Sequence, residues 1–224
     1  MNFLAQQQAV IRFARAGLGE ASGQNGKVFY SSPRSLFAGR YILMGYNPGG
    51  DPVSHAGCRI SDNLDEWGGL RQNHYWTQKW NRGRDDFNNR QKRVHALFEK
   101  LDINQAEAFT SNLWFLRSRN ASTLKHGDAV KDACVAIWKT LLARSPARRV
   151  ICIGVRTCEE FLEVIKASEI MRKRVRTCHP LALARLVNAR IQTNAYKITA
   201  VPHLSGFNVA EDSNLIRRIV KHFK

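Results

Sequence analysis

The chain is short of acid: 18 Asp and Glu stand against 35 Lys and Arg in 224 residues, for a formal net charge of +17. An imbalance of that size exceeds what solubility requires and calls for a polyanionic partner. No apolar run approaches the roughly 20 residues needed to cross a bilayer. The cations are scattered over many segments, which disfavours a membrane surface and favours nucleic acid. Cysteine is sparse and odd in number (Cys58, Cys134, Cys152, Cys158, Cys178), with no C-x-x-C spacing. That pattern argues against a zinc site, an iron-sulfur cluster or a disulfide framework, and for reduced thiols in an intracellular, cytoplasmic protein without metal or cofactor. A phosphate-binding loop is also missing, because Gly45-x-x-x-Gly49-Gly50 has no lysine after it. There is no Ser-His-Asp order, no pair of closely spaced carboxylates, no internal repeat and no low-complexity tail.

What is present alternates between two periodicities. Residues 1–37 read as an amphipathic helix (Phe3, Val10, Phe13, Ala14, Leu18) and a glycine-containing connector. Arg12 and Arg15, with no acid before Glu20, are also a transit-peptide feature, but the apolar spacing favours the helix. Apolar runs bounded by turn residues predict strands over 40–45, 108–114, 149–154 and 197–201, with a short extended piece at 28–30. Between them lie helical patterns over 89–101, from Asp128 as cap to about 142, from a Thr157-x-x-Glu160 capping box onward, and from about 209 with Asn208 as cap. Residues 51–87 show no clear period and hold Trp67, Tyr75, Trp76 and Trp80; a loop of that length is more often functional than idle. The expected architecture is α/β: one domain over 1–224, three αβα layers around a central four-stranded, mainly parallel sheet. Ligands of such sheets bind outside the carboxyl ends of the strands. That rule puts 45–52, 112–120, 154–158 and 202–208 on one rim, with Asn47 at the head of the first.

On that rim the residues become recognisable. Gly45-Tyr46-Asn47-Pro48-Gly49 resembles the G-I-N-P-G motif of the uracil-DNA glycosylase superfamily, in its mismatch-specific, thymine-DNA-glycosylase-like branch. Pro202-His203-Leu204-Ser205-Gly206-Phe207-Asn208 is similar to the branch's second motif, N-P-S-G-L-[SN] preceded by Pro. Asn73-His74-Tyr75-Trp76 resembles its N-H/R-F-W element, and Phe109-Thr110-Ser111-Asn112-Leu113 its F-T-N-M strand. The likeness runs in order from about residue 38 to the C-terminus, with Leu204 replacing the family's proline.

The resemblance implies a uracil-DNA-glycosylase-like fold and a monofunctional DNA glycosylase that flips out and excises a modified or mismatched pyrimidine, leaving an abasic site. Asn47 would hold the water against C1′, and His203 would donate to the pyrimidine O2 as charge develops there; a histidine closing its turn is the competing reading. Asn112 would read the base edge or merely order a strand end. Gly45, Tyr46, Gly49, Tyr75 and Trp76 would line the pocket. Ser205, Gly206 and Asn208 would meet a phosphate and Phe207 would wedge into the stack, unless it is core. Arg117, Arg119 and Arg156, with Lys125, would neutralise phosphates or remain solvated charges. Asp51 would assist, or only order its turn. Gly49 stands where the uracil-specific branch has a blocking tyrosine, so a 5-substituted cytosine or uracil, or thymine, should be admitted. A hypermodified cytosine of phage DNA would make the protein a defence enzyme. No lysine stands in a motif position for Schiff-base chemistry, so lyase activity is not expected. The protein is expected to act as a monomer on DNA. A non-catalytic DNA-binding protein on the same fold, or an α/β nucleoside-processing enzyme, remain as alternatives.

Overall fold

The computed structural model describes residues 2–50, 58–80, 86–179 and 182–224. Six strands form one sheet in the order β2-β1-β3-β6-β5-β4: β1 (Tyr41–Gly45), β2 (Ala108–Asn112), β3 (Arg149–Ile153), β4 (Ser168–Arg176), β5 (Leu183–Ile191) and β6 (Asn194–Val201). The four strands expected from sequence are mutually parallel. The expected count of four is corrected to six, because β4 and β5 form an antiparallel hairpin that extends the sheet beyond β6. β4 escaped the sequence reading for a physical reason. Its residues Ser-Glu-Ile-Met-Arg-Lys-Arg-Val-Arg carry charge on both faces, and Val175 alone is buried, so no two-residue alternation survives.

Alternate residues of the parallel strands feed two cores. Ile42, Met44, Val150 and Cys152 pack with α1 (Phe3–Leu18), α6 (Asp128–Arg144) and α7 (Val155–Val164). Leu43, Ile151, Ile153 and Val201 pack with α5 (Asn89–Lys100) and α8 (Ser213–Phe223). Opposite parities of one strand point to opposite faces, so the parallel part of the sheet is buried on both sides between helical layers.

Residues 58–80 are more ordered than a loop. Between α2 (Pro33–Ala38) and the 89–100 helix lie α3 (Ile60–Trp67) and the short α4 (His74–Thr77). Ile60, Leu64 and Trp67 make one apolar stripe, and Trp67 stacks on Phe29 at 3.9 Å between centroids. Asn63 Oδ1 accepts the backbone N–H groups of Val28 and Phe29, fixing the extended piece that bridges to Ser111.

Three expected helix caps are corrected. α7 starts two residues before Thr157, from Gly154 at φ 99°, and the Thr157 hydroxyl donates to Ile153 O at 2.8 Å. Asn208 opens only a 3₁₀ turn over Val209–Glu211; α8 is capped by Asp212, which accepts from Leu215 N at 2.9 Å. Asp128 is the first residue of α6, not its cap, and Gly127 precedes it. All five cysteines are free, with Cys134, Cys152 and Cys158 buried. Among the described residues no helix is long and apolar enough to cross a membrane.

Candidate active site

The segments leaving β1 and β2 continue side by side past the end of the sheet. Leu113 N donates to Gly45 O at 2.8 Å, Trp114 N to Tyr46 O at 2.9 Å, and Ser118 N to Pro48 O at 3.1 Å. This ladder presents Asn47 at a cleft of about 580 Å³ lined also by Arg90, Gly154, His203 and Phe207. Asn47 itself is buried, and its Nδ2 donates to Pro48 O and to Ser118 Oγ, both at 2.9 Å. A carbonyl acceptor on that nitrogen fixes the amide orientation. Both Nδ2 protons are thereby engaged, so the function left to Asn47 is the acceptor Oδ1.

His203 offers the complement. Its Nδ1 accepts the Ser205 N–H at 3.3 Å and lies 2.6 Å from the Ser205 hydroxyl. With Nδ1 the acceptor, the neutral ring carries its proton on Nε2. Burial, and then the charge of Arg90, hold its pKa below the usual histidine value, so the ring is neutral at pH 7 although it stands at the mouth of the cleft. An acceptor amide and an N–H donor, carried by strand ends far apart in sequence, thus line one cleft.

Arg90, from the first turn of α5, was not found by sequence reasoning. A Cβ on Gly45 would fall 2.2 Å from Asn112 Oδ1 and 3.1 Å from Arg90 Nη2, and one on Gly49 would fall 3.9 Å from Arg90 Nη1. The buried Nε of Arg90 has no hydrogen-bond partner among the described residues. The guanidinium therefore sits against the glycine turn, and only glycine at 45 lets Asn112 and Arg90 approach so closely. Asn88-Asn89-Arg90 carries no signal of this, because the contact is set by how α5 docks.

A second cavity, about 800 Å³, shares Gly49 and Arg90 with the first. Tyr30, Tyr75 and Trp80 wall it, with centroids 4.6–6.0 Å apart. Lys27 Nζ lies 5.0 Å from the centre of the Tyr30 ring and donates to Gln78 Oε1 at 3.0 Å; burial lowers its pKa to about 8. Neither Lys27 nor Tyr30 was singled out from sequence.

The other expected site residues divide. Gly49, Arg119, Ser205 and Phe207 line the first cleft, Phe207 half-buried and edge-on to His179 at 4.7 Å. Tyr75 and Arg117 line the second, and Arg117 donates to Gly49 O. Tyr46 lines the first cleft, but its hydroxyl donates to Glu160 at 2.8 Å. Arg156 pairs with Glu160 at 2.7 Å and lies 4.8 Å over the Tyr46 ring, so its charge is already partnered. Glu160 is half-buried. Burial alone would raise its pKa, but hydrogen bonds from Arg156, Tyr46 and Trp114 outweigh that and lower it. Asn112 lines neither cavity; its Nδ2 donates to Tyr30 OH at 2.9 Å. Trp76 stacks on His95 at 4.6 Å and packs on Phe98, away from both. Gly206 N and Phe207 N donate to His203 O, closing that turn, and Asn208 Nδ2 donates to Glu211 at 2.6 Å. Lys125 is exposed. Asp51 lies outside the described residues.

Among the described residues no group of three or more His, Cys, Asp or Glu could hold a metal ion. No family model matches the sequence, and no curated protein matches it.

Proposed function

We propose that the chain is a monofunctional DNA glycosylase acting on a flipped-out pyrimidine. The observation that carries this reading is the pairing of an acceptor-only Asn47 with an Nε2–H donor on His203 across one cleft, in a chain of net charge +17. A water held by Asn47 Oδ1 would face C1′ of the sugar. As the N-glycosidic bond breaks, its electron pair leaves with the base, and His203 Nε2–H donates to the oxyanion forming at O2. The water then adds to C1′, and its proton passes to the departed pyrimidine anion, which is released as the neutral base. An amide is no base at neutral pH, so the rate comes from stabilising the leaving group, worth about 10²–10³ for one such donor. Pyrimidines that leave easily are therefore favoured. Gly49, which projects no side chain between the two cavities, supports room for a substituent at C5.

The test is a panel of duplexes carrying uracil, mismatched thymine and 5-substituted cytosines. Expected is release of a free base and an alkali-labile abasic site, lost with Asn47→Ala while DNA binding persists. The bonds of Asn47 to Pro48 and Ser118 would equally order a turn on a non-catalytic DNA-binding protein. That second reading predicts no released base from any duplex and a silent Asn47→Ala.

A further inference from the structure

The β4–β5 hairpin carries one cationic face that its neighbouring helix α7 neutralises only in part. Arg172, Arg174 and Arg176 alternate along β4 and so share a face, about 6.6 Å between neighbours. Their register partners on β5 are Val187, Arg185 and Leu183. Arg174 therefore stands directly opposite Arg185, and opposed like charges destabilise a ladder. Glu159 of α7 answers two of these cations, accepting from Arg185 and from Arg172 at 3.3 Å. Arg174 and Arg176 are exposed, and no salt bridge to them occurs among the described residues. The row points somewhere definite: Arg176 pairs with Leu183, and Leu183 lines the same cleft as Asn47 and His203. Cations on an edge strand also deter edge-to-edge aggregation. That purpose needs charge anywhere along the edge, not a row of arginines that ends beside the cleft.

We propose that this hairpin is a DNA-docking ribbon, in which Arg172, Arg174 and Arg176 contact successive phosphates of the backbone that leads into the cleft. The proposal rests on the cleft being a DNA site. Its chemistry is phosphate recognition without base readout, since guanidinium groups spaced along a strand match a repeating anion.

The experiment is equilibrium binding of a fluorescent unmodified 24-base-pair duplex (~24, long enough to pass the cleft on both sides) across roughly 50–200 mM KCl. Each phosphate contact contributes about 0.9 to the slope of log K against log salt. Arg174→Ala/Arg176→Ala should lower that slope by about 1.8, and Arg174→Lys/Arg176→Lys should restore it. Lys100→Ala/Arg144→Ala, the same charge change at the far ends of α5 and α6, should leave the slope as in wild type. An unchanged slope in the first double variant, or an equal drop in the control pair, overturns the proposal. So does loss of polyglutamate binding with the DNA slope intact, which would assign the row to an acidic protein. Failure of the wild-type chain to bind the duplex at all would remove the glycosylase reading together with the ribbon; an unchanged slope in a protein that binds removes the ribbon alone.

Discussion

Ser205 turns its backbone N–H toward Nδ1 of His203 at 3.3 Å, with its hydroxyl 2.6 Å from the same nitrogen. The contact decides which edge of the imidazole carries the proton, and so what the ring can offer a ligand. Burial and then Arg90 keep that ring uncharged at neutral pH. Arg90→Gln removes the second cause, so the His203 pKa should rise toward its ordinary value of about 6.5. Following the imidazole by NMR titration in wild type and variant measures the shift, and a midpoint that stays put or falls would exclude the Arg90 contact as a cause.

Asn47→Asp should not rescue what Asn47→Ala loses. The position now filled by Nδ2 faces Pro48 O and Ser118 O, at 2.9 and 3.4 Å. A carboxylate oxygen there would repel both carbonyls and lose the Ser118 hydroxyl as well, whose own proton goes to Asn120 O at 2.6 Å. We expect single-turnover base release to fall about 100-fold or more in either variant, by analogy with loss of one transition-state donor. Ser118→Ala, which frees one Nδ2 proton, should fall between them and wild type. An aspartate variant faster than wild type would contradict this placement of the amide.

Gly45→Ala should cost both stability and activity. Its methyl group would collide with Asn112 Oδ1 at 2.2 Å, and the displaced amide would lose Tyr30 OH. Overpacking of this kind typically costs about 1–3 kcal/mol. Urea unfolding gives the number. A variant as stable as wild type would mean that Asn112 moves freely, and that its bond to Tyr30 is not structural.

His74 makes the fold sensitive to acid. It is buried, its Nδ1 has no partner among the described residues, and burial followed by the charge of Lys27 lowers its pKa to about 3, although Glu66 Oε1 stands 3.6 Å from its Nε2. The unfolded chain takes up this proton near pH 6.5 and the folded chain refuses it, so stability is full above about pH 6.5 and falls as pH drops toward the folded value. Between pH 6.5 and 5 the loss from His74 alone is about 2 kcal/mol. His126, His203 and His222 are shifted in the same direction and add to it. Unfolding free energies at pH 7 and 5 should therefore converge in His74→Asn relative to wild type, even if both are lowered.

The strands that face two cores were legible in the sequence because burial on both sides leaves short apolar runs such as Tyr-Ile-Leu-Met and Val-Ile-Cys-Ile. Asn47 and His203 were legible for a related reason: each follows such a run at a Pro-containing turn, and parallel topology sends those turns to one rim. The partners of these residues were not. Glu160 reads locally as half of a capping box with Thr157, yet it accepts from Tyr46, Trp114 and Arg156, and nothing near it in sequence announces a tyrosine from the neighbouring strand end. Asn112 was placed at the right strand end, but its amide is committed to Tyr30, which is set by the docking of the 28–30 segment. Of the hairpin, β4 was missed because a solvent-facing strand dense in basic residues has no apolar rhythm to detect, and β5, although it feeds both cores, has its apolar run broken by Arg185, Asn188 and Arg190.

The last strand of the chain, β6, lies between β3 and β5 in the middle of the sheet. During synthesis the hairpin of β4 and β5 is therefore complete before the strand that joins it to β1, β2 and β3 exists. His203 follows β6 directly, so neither the continuous sheet nor both halves of the cleft can form until residue 203 has left the ribosome. A chain ending between residues 191 and 194 would hold β1, β2 and β3 on one side and the β4–β5 hairpin on the other, with no strand to join them.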